Sequence, residues 1–355
     1  MLTIISKENI IFKDGILVIK ISGALKLHDI DSILKYMIIN RRENACKITN
    51  LKLDLSDLYP ISPAAATGLV CLCSALMCNK LKEIASPSFF YLYRPQEKVL
   101  SYLVSLGFFT QMSNNASLLG CEDLVSSEYK RKQSKVKKLD LSILNNQFND
   151  MKPIVQPMLL IPQKDDSLSA NDFENICTNY LNKTYDTFDK LFSSPLYNYG
   201  KNHIDKFYSA NGELFMNIFQ HSNSWGLGTI HAKPKFGTTT CYYDIGLGFK
   251  GSVNSSPKAG KEHKTFKTDC DAMKWALKEG NSAKMNGNGR GLTVVEEFVL
   301  EENGFIEIRS GCCLLHKKPG DKPGDKYWRV NEELPWFPGV QITYFVPSTT
   351  NIADS

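Results

Sequence analysis

The segment ELFMNIFQHS, which begins at Glu213, contains three polar side chains that could take part in chemistry. Glu213, Asn217 and His221 follow one another at intervals of four residues. In an α-helix that step advances about 40° around the axis, so the three side chains share one stripe. Leu214 and Phe215 fall on the core side. The pattern predicts either a solvated helix face or a helix that presents a carboxylate, a carboxamide and an imidazole to a ligand.

A second pattern ends a strand-like run. In TTTCYYDIGLGF, Asp244 follows β-branched and aromatic residues and precedes Gly246 and Gly248. Two glycines after an acid predict a sharp turn whose backbone can approach a flat ligand closely. The same pattern is also found in ordinary turns.

A third pattern is the glycine-rich stretch NGNGRGLTVVEEFV. It places Gly287, Gly289 and Gly291 at alternate positions directly before an amphipathic helix. Glycines there free backbone amides to point at phosphate oxygens, and the helix N-terminus adds roughly half a positive charge. By itself, a glycine-rich loop is weak support for a phosphate site.

The elements that come first in the chain alternate between strand-like and helix-like segments. ILVIKISG, LKLDLSDL and FFYLYRP have the composition and alternation of strands. HDIDSILKYMIINRR, a segment from Pro63 to Leu81, and EKVLSYLVSLGFF have helical spacing. This β-α-β-α-β-α order predicts a small α/β sheet layered with helices.

Residues 1–125 resemble STAS domains, the family of anti-sigma-factor antagonists. The resemblance rests on the strand LDLSDL before a small-residue helix and on the later helix ending in LGFF. Family members switched by phosphorylation have an Asp-Ser-Ser-Gly type turn where this chain has Ile61-Ser62-Pro63-Ala64. Ser62 is therefore either a phosphoacceptor or the N-cap of the helix. The resemblance implies a docking or regulated module.

A basic stretch, EYKRKQSKVKK, lies between the two halves of the chain. It contains a single aromatic residue, which favours a solvated linker over a nucleic-acid contact. We predict a linker at 126–140 and a second domain at 141–350.

The order of the three patterns, followed by the strands IEIRSG and PGVQITYFVP, resembles the GHKL ATPases. These include gyrase, histidine kinases, anti-sigma-factor serine kinases and the MutL-type repair proteins. The resemblance implies a Bergerat fold, in which a mixed sheet is layered against helices, and ATP with Mg2+ as ligands. It also implies an ATP lid at about 249–286, a segment rich in lysine. One or two of those lysines would reach the γ-phosphate.

The resemblance assigns roles to the polar stripe. Asn217 matches the residue whose amide oxygen holds magnesium, a hard cation that takes few protein ligands. Glu213 lies where the general base would polarise the attacking water or acceptor hydroxyl. His221 is either a phosphate contact, directly or through a neighbour, or a helix-end residue that satisfies the last carbonyls.

The glycine motifs also acquire roles from the resemblance. Asp244 matches the carboxylate that accepts the adenine amino group, and Gly246 and Gly248 let the chain pass the base. Arg290 either adds a charge contact or faces solvent. The residues that close on the phosphates are Gly287, Gly289, Gly291 and Leu292. The chain departs from the usual Gly-Thr of GHKL kinases at Gly339-Val340, which puts a water-mediated base contact in doubt.

The composition is that of an ordinary globular protein. Hydrophobic residues make up 43% and charged residues 22% of the 355 residues. The net charge of +5 is mild, so the sequence favours neither nucleic acid nor an anionic membrane as a partner. No apolar run reaches the roughly 18 residues of a membrane span.

Ten cysteines are scattered among apolar segments, and no C-x-x-C pair occurs. This usage favours reduced, buried thiols over disulfides and so predicts a cytoplasmic protein.

The function expected from the resemblance is a cytosolic Mg-ATP-binding regulatory ATPase or protein serine kinase. The STAS-like domain would dock or be regulated, and a protein regulator or client would be the partner. The alternative is an ATP-gated conformational switch, in which the chain forms a homodimer or releases a client without protein phosphorylation. A third hypothesis is a nucleotide-binding interaction module without useful turnover, against which the presence of Glu213 argues.

Overall fold

The computed structural model divides the chain into two compact units, Met1–Met151 and Lys152–Ser355. The predicted linker at 126–140 lies outside the described residues, so that boundary stays a prediction. The residues that the structure describes are 10–13, 15–44, 50–78, 80–81, 89–93, 102–103, 105–107, 154–161, 169–192, 201–233, 236–260, 264–278, 280–281, 289–324 and 328–348.

The first unit alternates strands and helices, as predicted. Its elements are β1 (Ile10–Lys13), β2 (Ile16–Leu25), α1 (Leu27–Asn44), β3 (Asn50–Ile61), α2 (Pro63–Met77) and β4 (Phe89–Tyr93). The strands pair in the order β1-β2-β3-β4, with β1 antiparallel to β2 and the other pairs parallel. Parallel neighbours need a crossover connection, and α1 provides it between β2 and β3. Most of the further helix predicted in EKVLSYLVSLGFF lies outside the described residues.

Helix α2 begins where the sequence predicts and ends earlier. The Ser62 hydroxyl accepts a hydrogen bond from the Ala65 N–H at 3.1 Å, which confirms that Ser62 is an N-cap. The predicted end at Leu81 is wrong, because the helix stops at Met77. The Lys80 N–H bonds to the Ala75 carbonyl at 2.9 Å, five residues back, which closes the helix end. Phosphorylation of Ser62 stays a prediction.

The second unit contains the polar stripe and both glycine motifs. Its elements are β5 (Ile154–Ile161), α3 (Ala170–Phe192), α4 (Lys201–His221), β6 (Gly226–Lys233), β7 (Gly237–Asp244), α5 (Gly248–Asn254), α6 (Asp269–Ala276), α7 (Gly291–Glu301), β8 (Phe305–Gly311), β9 (Cys313–Lys317), β10 (Arg329–Asn331) and β11 (Phe337–Pro347).

The sheet of the second unit corrects one prediction. Its seven described strands pair in the order β10-β9-β8-β11-β7-β6-β5, and every pair is antiparallel, so the expected mixed sheet is wrong. The reason is the position of β11. Strands β7 and β8 run in the same direction, but β11 lies between them and is antiparallel to both. The prediction that IEIRSG and PGVQITYFVP extend one sheet is confirmed.

The core of the second unit lies between the sheet and helices α4 and α7. Alternate residues of β11, such as Ile342 and Tyr344, belong to the same buried cluster as Phe207, Phe215 and Phe298. The rings of Phe207 and Phe298 meet edge to face with their centroids 5.8 Å apart, which joins α4 to α7. In the described part of the chain, no helix combines the length and apolar character needed to cross a membrane.

Helix α7 is also anchored by a buried ion pair. Lys317 of β9 and Glu296 of α7 are 0% and 1% exposed, and the Lys317 Nζ donates to the Glu296 carboxylate. The same Nζ donates to the carbonyl oxygens of Lys322 and Gly324, each at 2.6 Å. The Gly324 N–H donates to Glu296 at 2.8 Å. This network attaches Lys322 and Gly324, which lie between strands β9 and β10, to α7.

The cysteines within the described residues are free thiols. Five of them are buried, which agrees with the prediction of core thiols: Cys71, Cys73, Cys241, Cys270 and Cys313.

Candidate functional site

One cavity of about 360 Å3 brings the three sequence patterns together. Helix α4, the end of β7, helices α5 and α6, the residues before α7 and strand β11 all line it. Gly246 lies beside the cavity without lining it, and Gly287 lies outside the described residues. The predicted site residues that do line it are Glu213, Asn217, His221, Asp244, Gly248, Gly289, Arg290, Gly291 and Leu292.

The stripe on α4 faces this cavity along its whole length, because its members recur at the helical repeat. Asn217 is partly buried, and its Nδ2 atom is buried without a hydrogen-bond partner. A buried amide without a partner is costly, so its position suits a ligand. His221 is the last residue of α4 and also lines the cavity, so the structure is compatible with both of its predicted roles.

Glu213 lies against the first residue of α7. A Cβ atom added at Gly291 would lie 3.2 Å from the Glu213 Cδ atom, and it would overlap the carboxylate oxygen Oε2. An added Cβ atom would therefore push the flexible end of the Glu213 side chain away from its present position. The N-terminus of α7 carries positive partial charge, and its N-cap residue, Arg290, makes no side-chain capping bond. A carboxylate and a helix N-terminus thus face the same space.

Asp244 forms the opposite end of the cavity. Its side chain is buried, and its Oδ1 atom accepts a hydrogen bond from the Gly246 N–H at 2.8 Å. Burial raises the pKa of Asp244 to about 7, although hydrogen bonds from the backbone N–H groups of Gly246 and Val340 oppose the shift. This carboxyl group therefore changes charge close to neutral pH.

The backbone around Asp244 leaves no room for side chains. A Cβ atom at Gly246 would lie 2.6 Å from the Ser222 carbonyl carbon. Gly339 has a φ of +78°, and a Cβ there would lie 2.6 Å from the Asp244 carbonyl carbon and from its Oδ1. A register shift between Phe337 and Val340 shows that β11 is irregular at this point. Next to this irregularity, the Val340 N–H hydrogen-bonds to the Asp244 carboxyl group.

The turn after Asp244 is tied to two neighbouring elements. The Leu247 N–H donates to the Ser222 carbonyl at 2.8 Å, just beyond the end of α4. The Phe249 N–H donates to the Ser310 hydroxyl at 3.0 Å, at the end of β8. Gly248 has a φ of +67°, which turns the chain between these two ties. The sequence predicted the turn but not its two partners.

The segment predicted as a lid contains α5 and α6, which share a small cluster, and α6 also contributes Cys270 and Met273 to the main core of the unit. Val253, Phe266 and Ala272 form the small cluster. The side chain of Asn254 accepts from the Phe266 N–H and donates to the Phe266 carbonyl, each at 2.9 Å, which fastens the connection between the helices. Among the described lysines of the segment, none lines the cavity. A lysine contact with a phosphate group stays a prediction.

Sequence patterns missed several residues of the cavity. Ser222 directly follows the α4 stripe and could have been found by extending it, and Val340 was noted only as a departure from a family pattern. Trp275 and Asn281 belong to no motif and reach the cavity through the fold of the lid segment. The lining residues outside the predicted set include Ser222, Phe249, Ser252, Trp275, Asn281, Val340 and Ile342.

Three features of the cavity suit a ligand that combines an anionic group with a flat, polar-edged ring, and the Asn217 amide oxygen is the atom that could hold a metal ion. The Asn217 amide has a polar atom in need of a partner, the Gly291 contact leaves a cradle at a helix N-terminus, and Asp244 lies in a largely apolar pocket end. Within the described residues, no group of three or more His, Cys, Asp or Glu could hold a metal ion. No protein-family model matches the chain, and no curated protein matches it.

Proposed function

We propose that the chain is a cytoplasmic, Mg-ATP-binding regulatory protein of the GHKL type, which hydrolyses ATP or transfers its phosphate to a protein serine. The observation that carries this proposal is the single cavity lined by Glu213, Asn217, Asp244 and Gly291, which come from three separate motifs. The seven-stranded sheet packed against α4 and α7 supplies the layering of sheet against helices expected of a Bergerat fold, although its strand pairs are all antiparallel and not mixed. The parallel strands β2, β3 and β4 with α1 and α2 support a STAS-like fold for the first unit.

In this proposal the Asp244 end of the cavity binds adenine. The Asp244 carboxylate accepts a hydrogen bond from the exocyclic amino group, and the apolar side chains of Val340 and Ile342 pack on the base. Guanine presents a carbonyl oxygen at the corresponding position, so a carboxylate disfavours it. The Val340 N–H is used by Asp244 itself, and valine supplies no hydroxyl. Base recognition therefore depends mainly on Asp244.

The triphosphate lies at the other end, where α4 meets α7. The backbone amides at Gly289, Arg290 and Gly291 approach the phosphate oxygens together with the N-terminus of α7. Asn217 would hold the magnesium ion through its amide oxygen, with its unpartnered Nδ2 left for a phosphate oxygen. Bound magnesium supplies charge neutralisation on the phosphates.

Glu213 acts as the general base. Its carboxylate faces the space next to the N-terminus of α7, and it accepts a proton from the attacking water or serine hydroxyl. The contact with Gly291 holds the carboxylate in place, so an ordinary side chain at 291 would displace it. Catalysis consists of positioning and proton removal, because phosphoryl transfer needs little covalent chemistry from the protein.

A second candidate function is an ATP-gated switch in which nucleotide binding changes oligomeric state or releases a client protein. The small cluster of Val253, Phe266 and Ala272 favours it, because α5 lines the cavity and packs on this cluster. Helix α5 can therefore shift while Cys270 and Met273 hold α6 in the main core. In both cases the first unit docks or is regulated by a protein partner, and neither nucleic acid nor a membrane is expected to bind.

The test is magnesium-dependent ATP turnover by the purified chain. We expect Glu213→Gln and Asn217→Ala to reduce turnover by about 100-fold to 10,000-fold, the range of a lost proton acceptor or metal ligand. Phosphate left on protein identifies a kinase, whereas free phosphate and a nucleotide-dependent change of oligomeric state identify a switch.

Glu297→Gln is the matched control, since Glu297 is on α7 but does not line the cavity. It should keep full turnover. A wild-type chain that neither binds nor turns over ATP contradicts the proposal, and so does a Glu213→Gln variant with wild-type turnover.

A further inference from the structure

Asn281 lies in the lid segment, after α6 and before the glycine-rich motif, and it lines the cavity. Its Nδ2 atom donates a hydrogen bond to the Trp275 carbonyl at 2.7 Å, in the last turn of α6. The Lys278 N–H donates to the same carbonyl at 3.2 Å, and the Asn281 N–H donates to the Lys278 carbonyl at 3.1 Å. Carbonyls in the last turn of a helix have no partner within the helix, so the Asn281 side chain helps to end α6.

The backbone of Asn281 also packs directly on Gly289. A Cβ atom at Gly289 would lie 2.5 Å from the Asn281 nitrogen and 2.6 Å from its carbonyl carbon. Gly289 has a φ of +62°, and its carbonyl accepts a hydrogen bond from the Gly280 N–H at 3.2 Å. The end of α6 and the residue two positions before α7 are thus joined backbone to backbone, which requires glycine at 289.

We propose that Asn281 is a positioning residue that sets the phosphate end of the cavity. By holding the Trp275 carbonyl and packing on Gly289, it fixes α6 relative to Gly289, Arg290 and Gly291. This inference rests on the proposed function, because those three residues are the ones assigned to the phosphates. None of the sequence motifs includes Asn281.

The side-chain chemistry makes the role testable by a small change. Asn281→Asp keeps the size and the acceptor oxygen but replaces the donor that bonds to the Trp275 carbonyl with a second acceptor. The Trp275 carbonyl oxygen would then face a second oxygen atom, and the backbone contact between Asn281 and Gly289 would become less stable. Gly289→Ala disturbs the same join from the other side.

The matched control is Asn254→Asp. Asn254 also bonds through its side chain to backbone groups of the lid segment, those of Phe266, but it does not line the cavity. A general loosening of the lid segment would appear in both Asp variants. A specific role of Asn281 would weaken ATP binding in Asn281→Asp alone.

The experiment combines two measurements on the full chain. Titration with Mg-ATP should show affinity about threefold to tenfold weaker for Asn281→Asp and Gly289→Ala than for wild type, the effect of one lost hydrogen bond. Hydrogen exchange without nucleotide should show faster exchange of the Gly280 amide in both variants. Asn254→Asp should keep wild-type ATP affinity and wild-type exchange at Gly280.

Several results would overturn the inference. Wild-type ATP affinity in Asn281→Asp removes the positioning role, and so does an equal loss of affinity in Asn254→Asp. A wild-type chain that binds no Mg-ATP overturns the proposed function and the positioning role together. Because the wild type is measured first, the two failures are distinguishable.

Discussion

The two ends of the cavity are built in different ways. At the base end, Asp244 and Gly246 are held by backbone contacts with Ser222 and Gly339, and any added Cβ atom would overlap the backbone. The phosphate end consists of helix termini and side chains, such as Glu213 against α7. Sheet register therefore determines the base end, whereas helix packing and the lid segment determine the phosphate end. Glycine substitutions at the base end should therefore cost mainly folding, whereas side-chain substitutions at Asp244 and at the phosphate end should cost mainly ligand binding or turnover.

The largest effect on stability is expected from Lys317→Met. Lys317 pairs with Glu296 of α7, so this variant tests how strongly the phosphate end depends on the ion pair that holds α7. Removal of the ammonium group leaves the Glu296 carboxylate buried without its partner. We expect the free energy of unfolding to fall by about 3–5 kcal/mol, as for other broken buried ion pairs. Urea denaturation measures the change.

The double variant Glu296→Gln with Lys317→Met is the control, because it removes both charges. It should recover most of the lost stability. If Lys317→Met alone is as stable as wild type, α7 does not depend on this anchor.

Gly246→Ala should show that the base end is limited by space. The added methyl group would overlap the Ser222 carbonyl, so the turn after β7 or the end of α4 must move. We expect a loss of about 1–3 kcal/mol in the free energy of unfolding. Gly212→Ala is the matched control within α4, since a Cβ there meets no atom within 4 Å. It should stabilise the chain by about 0.5–1 kcal/mol, and a loss of stability there would contradict this account.

Asp244→Asn separates base recognition from folding. The variant keeps an oxygen that can accept the Gly246 N–H but loses the charge that would receive an adenine amino group. We expect adenosine affinity to fall about tenfold to a hundredfold, the range for a hydrogen bond to a charged group. Calorimetry with adenosine measures the base end alone, because the ligand has no phosphate. Unchanged affinity would remove Asp244 from the base site.

The smallest effect is the pH dependence of adenosine binding. The pKa of Asp244 is raised to about 7, so the carboxylate becomes protonated as the pH falls from 8 to 6. Binding of an amino group favours the carboxylate, so affinity should decrease over this interval. Asp244→Asn is the control, because the part of the pH dependence that disappears in this variant belongs to Asp244 and not to other groups that line the cavity, such as His221.

The raised pKa of Asp244 also makes the stability of the fold depend on pH, but in the opposite direction: stability decreases with rising pH, whereas adenosine affinity increases. Because burial raises the folded-state pKa of Asp244 above that of an exposed carboxyl group, ionisation costs folding free energy. The stability contributed by the protonated group is lost as the pH rises from about 4 to about 7. Asp244→Asn should therefore lose less stability than wild type between those pH values, which thermal denaturation at both ends can measure.

Local periodicity was enough to predict the polar side of the site. The four-residue repeat of Glu213, Asn217 and His221 placed them on one helix face, and that face lines the cavity. The acid at the end of a strand and the glycines before a helix also reach the same cavity, as their order in the chain suggested. These features depend on neighbours in sequence, which a single chain reveals.

Long-range features could not be predicted. The mixed sheet was wrong because the position of β11 between β7 and β8 has no local signature. The irregularity at Gly339 and the join between Asn281 and Gly289 depend on contacts between distant segments. Trp275 lines the cavity and packs against the small cluster between α5 and α6, an arrangement of distant residues that no motif indicates.

The central position of β11 has a consequence for how the protein is made. Strands β5, β6 and β7 can pair as soon as they leave the ribosome, and so can β8, β9 and β10, but the two groups have no contact along the sheet until β11 is synthesised. Until then β7 and β8 each present an open edge, the kind of edge that pairs with other chains. A ribosome that stalls before Phe337 would therefore release two unpaired half-sheets, which we expect to be substrates for chaperones and proteases.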